Sequence, residues 1–331
     1  MLRLLQILSI SLLHFPLISF GQQFLEWSAY TSMREATRLF VNADFVWVAT
    51  SGGVLQYDME TQKFSRFTRL NGLPSNEVSC MTMDEGGNMW FGTRYAGLGR
   101  LRKDESEFDP TISDFKDLEI NSLFSHRGDV FVGTDRGVSL YSVDREEVKE
   151  SYRQLGSLIK DTKVNSVIVE NGSIWVGAEG GVAWADLSQL NLQDPLSWQS
   201  TTSPGSVVDM AFHEGIPFVA SSRGVFSINK DTQRSSLDFD NLDIVALSVF
   251  EGTLVAATRS GLFFRRNGVR DWQSMQSFGI SGVSDISGVG DELWVATYTG
   301  LRVVGEKEIP SLGDPPANIF YDIATMPNGD L

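Results

Sequence analysis

A short pattern of apolar, small and turn residues recurs along the chain, and it constrains the fold more than any other feature. Each copy has a bulky apolar residue, an apolar residue, a small residue, threonine or a small substitute, two variable residues and a glycine. Successive glycines lie 37 to 44 residues apart. The seven copies begin at Trp47, Trp90, Phe131, Trp175, Phe218, Val255 and Trp294, and their glycines are Gly53, Gly97, Gly137, Gly181, Gly224, Gly261 and Gly300. This spacing is the period of a β-propeller blade.

Each repeat unit contains segments that predict four short strands. An apolar inner strand such as 78–83 is followed by a turn rich in Gly and Asn, by the repeated strand, by a third strand after the glycine, and by an outer strand with aromatic residues. A single sheet of this kind cannot bury both apolar faces, whereas a ring of stacked sheets can. Helical repeats would show a 3.6-residue period, which is absent, and a parallel β-helix has shorter coils. The sequence predicts an all-β β-propeller of seven four-stranded blades over residues 22–304.

The two ends of the chain are predicted to lie outside this ring. Residues 1–21 have the features of a cleaved signal peptide, with a charge at Arg3 and small residues Ser19 and Gly21 before the cut. An uncleaved anchor is the alternative, but the apolar stretch is short for a span of ~20 residues. Residues 305–331 resemble a linker and the first strand of a further blade or second propeller. We therefore expect a fragment of a longer protein, with an unfinished eighth blade as the alternative.

Residues 27–30 predict an outer strand that has no inner strands before it. We expect this strand to complete the last blade and so to close the ring.

Charge and cysteine content limit the partners and the compartment. The formal net charge is −15, whereas a nucleic-acid-binding protein presents a basic surface to phosphates. Nucleic acid is therefore excluded as a partner. The predicted signal peptide indicates a periplasmic or cell-surface location, with membrane attachment only through a part beyond residue 331. Cys80 is the only cysteine, so no internal disulfide can form, and its neighbours predict a partly buried strand position.

The second repeat carries a more specific pattern. Residues 71–76 read Asn-Gly-Leu-Pro-Ser-Asn, and Asp84, Gly87-Asn88 and Trp90-Phe91-Gly92-Thr93 follow. This pattern resembles the two-component-regulator propeller repeat, while the fifth and sixth repeats are degenerate. The resemblance implies a periplasmic ligand sensor of a hybrid histidine kinase, often for polysaccharide breakdown products. The arrangement is also similar to PorZ-type surface propellers of type IX secretion. A kinase or sorting domain would lie beyond Leu331.

The chain offers few residues for acid–base or metal chemistry. Outside the predicted signal peptide, the histidines are His126 and His213, both in predicted turns between inner and second strands, where we expect them to be exposed. A Ser-His-Asp triad or a histidine metal site is therefore poorly supported. We expect a non-catalytic protein without a cofactor or metal ion. A propeller lyase or hydrolase is the weakest alternative.

Arginines recur in the turns between second and third strands. In a propeller these turns lie on the same face as the loops that lead into the inner strands. Guanidinium groups bind carboxylates and phosphates in bidentate fashion, and tyrosine rings stack on sugars. The hypothesis is a small-molecule ligand, an anionic saccharide or similar, or else a protein partner. The alternative is a set of solvated turn arginines paired with Asp135 or Glu179. The candidate residues are Arg94, Tyr95, Arg136, Arg223, Arg259, Tyr298, Asn71 and Asn76.

Overall fold

The described part of the chain is built almost wholly from antiparallel strands. The computed structural model describes residues 31–266, 268–269, 271–275 and 280–304. These residues form 25 strands in six sheets and two short 3-10 turns, at Arg69–Asn71 and Pro195–Ser197. The predicted all-β propeller fold is thereby confirmed. The predicted signal peptide and the C-terminal segment 305–331 lie outside the described residues.

The strands follow one another in chain order within every sheet. Sheet 1 contains β1 (Ala36–Val41), β2 (Phe45–Thr50), β3 (Gly53–Asp58) and β4 (Lys63–Phe67). Sheet 2 contains β5 (Val78–Met83), β6 (Met89–Leu101), β7 (Ile112–His126), β8 (Asp129–Thr134), β9 (Gly137–Ser142) and β10 (Glu147–Tyr152). Sheet 3 contains β11 (Val164–Glu170), β12 (Ser173–Ala178), β13 (Gly181–Asp186) and β14 (Gln199–Thr201).

The remaining sheets repeat the same order. Sheet 4 contains β15 (Val207–His213), β16 (Ile216–Ser221), β17 (Gly224–Asn229) and β18 (Arg234–Phe239). Sheet 5 contains β19 (Ile244–Phe250), β20 (Thr253–Thr258), β21 (Gly261–Arg266) and β22 (Gln273–Ser274). Sheet 6 contains β23 (Val283–Val289), β24 (Glu292–Thr297) and β25 (Gly300–Val303).

The prediction of seven four-stranded blades is wrong, because the described residues form six blades. The second and third repeats share the six-stranded sheet 2. Its 15-residue strand β7 pairs with β6 through residues 112–119 and with β8 through residues 120–126. Residues 112–126 contain neither glycine nor proline, so nothing in the sequence ends the outer strand of one repeat before the inner strand of the next begins.

The last sheet packs against the first and closes the ring. The backbone N–H of Leu39 donates to Asp285 Oδ2 over 2.8 Å, and Ser284 Oγ donates to the carbonyl oxygen of Ala36 over 2.5 Å. Trp294 and Val46 belong to one apolar cluster between these sheets. Sheet 6 has three strands within the described residues, and the predicted closing strand 27–30 lies outside them.

Apolar side chains fill the spaces between neighbouring sheets. The small residues of the repeat are required where the side chains of the next sheet come close to the backbone. A Cβ added to Gly177 of β12 would lie 2.4 Å from Cγ1 of Val207 on the next sheet. Such a distance is far inside van der Waals contact, so only glycine allows this approach. The sheet cores are thus continuous around the ring, and the turns at its two faces are the parts left to contact other molecules.

Candidate binding face

The turns between second and third strands lie on one face of the ring, which we call the upper face. It comprises turns 50–53, 93–97, 134–137, 178–181, 221–224, 258–261 and 297–300, together with the loops that lead into the inner strands. The turns between first and second strands lie at the opposite end of the second strand, on the lower face. A six-residue strand separates the two faces by about 20 Å.

A recurrent hydrogen bond shapes the turns of the upper face. Thr50 Oγ1 donates to the carbonyl oxygen of Gly53 over 2.9 Å, and the same contact recurs from Thr93, Thr134, Ser221, Thr258 and Thr297 to the glycine that follows. Gly53 has a φ of 136°, which L side chains rarely adopt. The repeated threonine and glycine therefore fix the turn, and the residues between them project from it.

Arg94 and Tyr95 occupy the turn with one extra residue. Tyr95 has a φ of 62° and is 57% exposed. A left-handed backbone at a bulky aromatic residue is uncommon and strained, and it suggests a functional constraint. Arg94 is also exposed, and its Nε lies 3.3 Å from Glu119 Oε1. This turn presents a cation and an aromatic ring side by side.

Glu119 connects this turn to two further repeats and was not among the predicted residues. Its side chain is 12% exposed, and its Oε2 accepts a hydrogen bond from Lys163 Nζ over 2.7 Å. Its backbone carbonyl accepts from the N–H of Asp135 over 3.0 Å, which places the exposed Arg136 in the adjacent turn. Within the described residues, the Arg136 guanidinium has no ion pair or hydrogen bond. The structure thus brings Arg94 and, unpredicted, Lys163 to one carboxylate, with Tyr95 in the same turn as Arg94 and Arg136 in the adjacent turn.

Arg223 and Arg259 lie in turns further around the upper face and contact their own sheets. Arg223 Nη1 donates to the carbonyl oxygen of Ser203 over 2.9 Å, and its guanidinium lies 5.8 Å from the ring centre of Phe226. Arg259 Nη1 lies 3.2 Å from Asp243 Oδ1. The expected alternative partners were Asp135 and Glu179, and the observed carboxylates are Glu119 and Asp243.

The other predicted residues have local contacts. Asn71 Oδ1 accepts from the N–H of Thr68 over 2.9 Å, and Asn76 Oδ1 accepts from the N–H of Arg69 over 3.1 Å. Both side chains therefore fold the loop that leads into β5. Tyr298 is half exposed, and its ring lies beside Gly282, whose N–H donates to the carbonyl of Arg259.

On the lower face, the motif of the second repeat forms a buried hydrogen-bond network. Asp84 Oδ2 accepts from Trp90 Nε1 over 2.8 Å, and Asp84 Oδ1 accepts from the N–H of Asn88 over 2.9 Å. The Asn88 amide also donates to Asp84. The adjacent Glu85 accepts from the N–H of Arg127 over 2.6 Å in the next turn, and backbone hydrogen bonds there oppose burial and lower the pKa of Glu85. These contacts are structural.

The two histidines differ from each other in exposure. His126 is half buried, but His213 is 2% exposed, so the expectation of an exposed turn histidine is wrong for His213. Its Nε2 lies 3.0 Å from the carbonyl oxygen of Gly252, and its Nδ1 lies 3.5 Å from Arg265 Nη1. Because both ring nitrogens contact the neighbouring sheet, His213 joins sheets 4 and 5.

Two aspartates lie at equivalent register positions at the centre of the ring. Asp209 Oδ2 accepts from the N–H of Leu247 over 2.8 Å, as Asp285 accepts from Leu39. Their side chains keep some accessible surface but are enclosed by the inner strands. Burial raises the pKa of Asp209 to about 6, with a further contribution from the charge of Asp285, and burial likewise raises the pKa of Asp285. Arg38 acts in the opposite direction on both.

Cys80 lies in a strand, β5, as the sequence predicts, but it is buried and not partly buried. Burial raises the pKa of its thiol to about 12, so it is not a reactive thiolate.

Residues suited to metal binding or to membrane insertion are scarce in the described ranges. Over these residues, no group of three or more His, Cys, Asp or Glu side chains is placed to hold a metal ion. Likewise, none of the described helical segments has the length and apolarity needed to cross a membrane.

The sequence comparison supports the family resemblance of the second repeat. Residues 72–95 match the model of the two component regulator propeller family. This segment includes Asp84, Asn88 and Trp90 of the lower-face network and also Arg94 and Tyr95 of the upper face. No curated protein matches the chain in sequence.

The fold is similar to propellers of solved structure. One is PorZ, a bacterial surface component of the type-IX secretion system of Porphyromonas gingivalis, with a TM-score of 0.70, 18% identity, and coverage of 89% of this chain and 41% of that chain. Another is the extracellular domain named as that of a hybrid two component system from B. thetaiotaomicron, with a TM-score of 0.67, 16% identity, and coverage of 82% and 40%. The chain thus spans about two fifths of the length of these two relatives.

A third similar structure is an enzyme. Virginiamycin B lyase from Staphylococcus aureus has a TM-score of 0.64 and 12% identity, with coverage of 81% of this chain and 93% of that chain. At these identities the similarity concerns the fold, and function has to be argued from the residues of this chain.

Proposed function

We propose that this chain is a non-catalytic, extracytoplasmic binding module whose upper face binds an anionic saccharide. The observation that carries the proposal is the recurrence of exposed arginines in structurally equivalent turns of one face, one of them beside the exposed ring of Tyr95. Guanidinium groups suit carboxylate and sulfate groups, and an exposed aromatic ring suits the apolar face of a sugar. The extracellular domains among similar structures support an exported protein.

The site chemistry favours binding over catalysis. The buried His213 is engaged by both ring nitrogens, and Asp84 is occupied by hydrogen bonds within its own hairpin. Neither group is free to act as an acid or base on a ligand at the upper face. A lyase or hydrolase would need such a group in a cleft.

The test is calorimetric titration of the full chain with two probes, an oligogalacturonate and a chondroitin sulfate oligosaccharide, and with a neutral galactan oligosaccharide as reference. Changing Arg94, Arg136, Arg223 and Arg259 together to alanine should weaken binding of the anionic probes at least about tenfold, because charge-assisted hydrogen bonds are lost. The matched control changes four exposed lower-face arginines, Arg127, Arg145, Arg234 and Arg266, and should retain the parent affinity.

Two results would contradict the proposal. One is parent-like affinity in the upper-face variant. The other is failure of the parent chain to bind either anionic probe more tightly than the neutral one.

A second candidate function is a surface scaffold that binds a protein or glycan without signalling. The similarity to PorZ favours it. We place the binding module of the first proposal in a two-component-type sensor, and reading the gene beyond the codon for Leu331 separates this from the scaffold. A transmembrane segment with kinase motifs supports the sensor, and a sorting domain supports the scaffold.

A further inference from the structure

The upper face is not electrostatically uniform around the ring. Arg259 lies 3.2 Å from its own carboxylate partner, Asp243, and Arg223 donates to a backbone carbonyl and lies over Phe226. Both side chains are therefore engaged locally. On the side of the second and third repeats, by contrast, Arg94 and Lys163 share the single carboxylate of Glu119. One cation of the pair is thus left without a matching charge.

Arg136 adds to this excess. Its turn is joined to Glu119 by two hydrogen bonds, from the N–H of Asp135 to the carbonyl of Glu119 over 3.0 Å and from the N–H of Glu119 to Asp135 Oδ1 over 3.2 Å. In the described part of the chain its guanidinium has no partner. Three cations, Arg94, Arg136 and Lys163, thus lie around the carboxylates of Glu119 and Asp135, in a chain whose net charge is −15.

Tyr95 marks the same side of the face. It follows Arg94 in the turn with the extra residue, and its ring is exposed on a strained, left-handed backbone. Strain of this kind costs about 1–3 kcal/mol and persists where the surrounding structure imposes it. The extra residue and the strained backbone thus occur in the same turn as Arg94, which shares the carboxylate of Glu119 with Lys163.

We infer that Arg94, Tyr95, Arg136 and Lys163 form the anion subsite of the upper face, held together by Glu119, and that Arg223 and Arg259 lie outside it. This inference rests on the proposed function and deepens it by assigning the residues. The ligand would be an acidic sugar whose carboxylate or sulfate meets the guanidinium groups while its ring stacks on Tyr95. Glu119 is a positioning residue, because it orients Arg94 and Lys163.

The experiment compares two matched double variants of the full chain, each lacking two upper-face arginines. With oligogalacturonate and chondroitin sulfate oligosaccharide as probes, Arg94→Ala/Arg136→Ala should weaken binding at least about tenfold. Arg223→Ala/Arg259→Ala should change the affinity less than about twofold. Lys163→Gln should fall between them, because it removes one charge but retains the length of the side chain.

Two further variants test the individual roles. Tyr95→Asn keeps a residue that tolerates the left-handed backbone but lacks the ring, and it should weaken saccharide binding without lowering thermal stability. Glu119→Gln leaves more positive charge unpaired but removes the common anchor of Arg94 and Lys163, so a positioning role predicts weaker binding. Binding stronger than that of the parent chain would show that Glu119 only neutralises the two cations.

Each outcome has one meaning. Equal losses in the two double variants, or a larger loss in Arg223→Ala/Arg259→Ala, would overturn the subsite while leaving the proposed function standing. No loss in either double variant, together with no loss in the quadruple variant, would overturn both.

Discussion

The second and fifth repeats build the same hairpin but hold it together differently. In the second repeat the contacts of the Asp84 side chain are local: it bonds Asn88 and Trp90, all within one turn and strand, while the adjacent Glu85 bonds the turn of the next repeat. In the fifth repeat Phe218 takes the place of the tryptophan, and His213 bonds Gly252 of the next sheet. The buried aspartate of the second repeat stabilises its own hairpin, whereas the buried histidine of the fifth joins its hairpin to the neighbouring sheet.

This difference explains why only one repeat matches the family model. Because the residues of this network all lie between 84 and 90, they appear in the sequence at a fixed short spacing that a family pattern can describe. Contacts between sheets join residues that are far apart in the sequence, so they produce no such short pattern. The family match spans residues 72–95, so it includes both the lower-face network of Asp84 and the upper-face residues Arg94 and Tyr95.

The largest expected effect is that of Asp84→Ala. The substitution removes a buried acceptor and leaves the Trp90 indole N–H without a partner, so the free energy of unfolding should fall by about 3 kcal/mol. Urea unfolding measures this. The control Asp231→Ala, an exposed residue of the fifth repeat, should change it by less than about 0.5 kcal/mol. Equal effects of the two substitutions would refute the local network.

His213→Ala should cost about 2 kcal/mol, because it empties buried space and removes contacts to Gly252 and Arg265. Hydrogen exchange should show loosening on sheet 5 as well as sheet 4, since the histidine joins them. The comparison variant His126→Ala removes a half-buried side chain and should cost less than about 1 kcal/mol. Loosening confined to sheet 4 would mean that His213 does not couple the fifth repeat to the next sheet.

Asp209 should make stability depend on pH. Its pKa is about 6 in the folded chain, above its ordinary value of 3.8, so the folded state binds the proton more tightly. Its contribution to the unfolding free energy is therefore greatest below about pH 4 and falls by about 1–2 kcal/mol as the pH rises to about 6. Asp209→Asn should flatten the slope of stability between pH 4 and 6. An unchanged slope in this variant would show that Asp209 titrates normally.

The smallest effect compares two tryptophans at the same position of their repeats. Trp47 is 3% exposed, and its Nε1 is buried without a hydrogen-bond partner in the described structure, whereas Trp90 donates to Asp84. Trp90→Phe should therefore cost about 1 kcal/mol more than Trp47→Phe. Thermal unfolding of both variants measures the difference. If Trp47→Phe proved the more costly, the indole hydrogen bond would not be what distinguishes the second repeat.

The sequence was sufficient for those features that depend on neighbouring residues. In six of the seven copies a Thr or Ser hydroxyl bonds the Gly across a turn, so the recurrence of this pair predicted both the hairpins and the propeller. Asn71 and Asn76 were assigned to ligand binding, but their carbonyl oxygens bond the backbone of their own loop. The sequence does not distinguish an asparagine amide that is free to bind a ligand from one that is hydrogen-bonded within its own loop.

Features that depend on distant residues could not be predicted. Lys163 and Glu119 are 44 residues apart, and His213 and Gly252 are 39 apart. Each pair meets because the ring stacks one repeat on the next. The blade count failed for a related reason: whether β7 bends or continues between two repeats is decided by pairing with β6 and β8, and the repeat period does not record it.

The most direct test of the account is to measure oligogalacturonate affinity and thermal stability together in Asp84→Ala and in the variant with Arg94, Arg136, Arg223 and Arg259 changed to alanine. The account predicts that Asp84→Ala, while folded, binds like the parent chain but melts at a lower temperature. The arginine variant should melt like the parent chain but bind at least about tenfold more weakly. Loss of affinity in folded Asp84→Ala, with parent-like affinity in the arginine variant, would contradict the assignment of binding to the upper face.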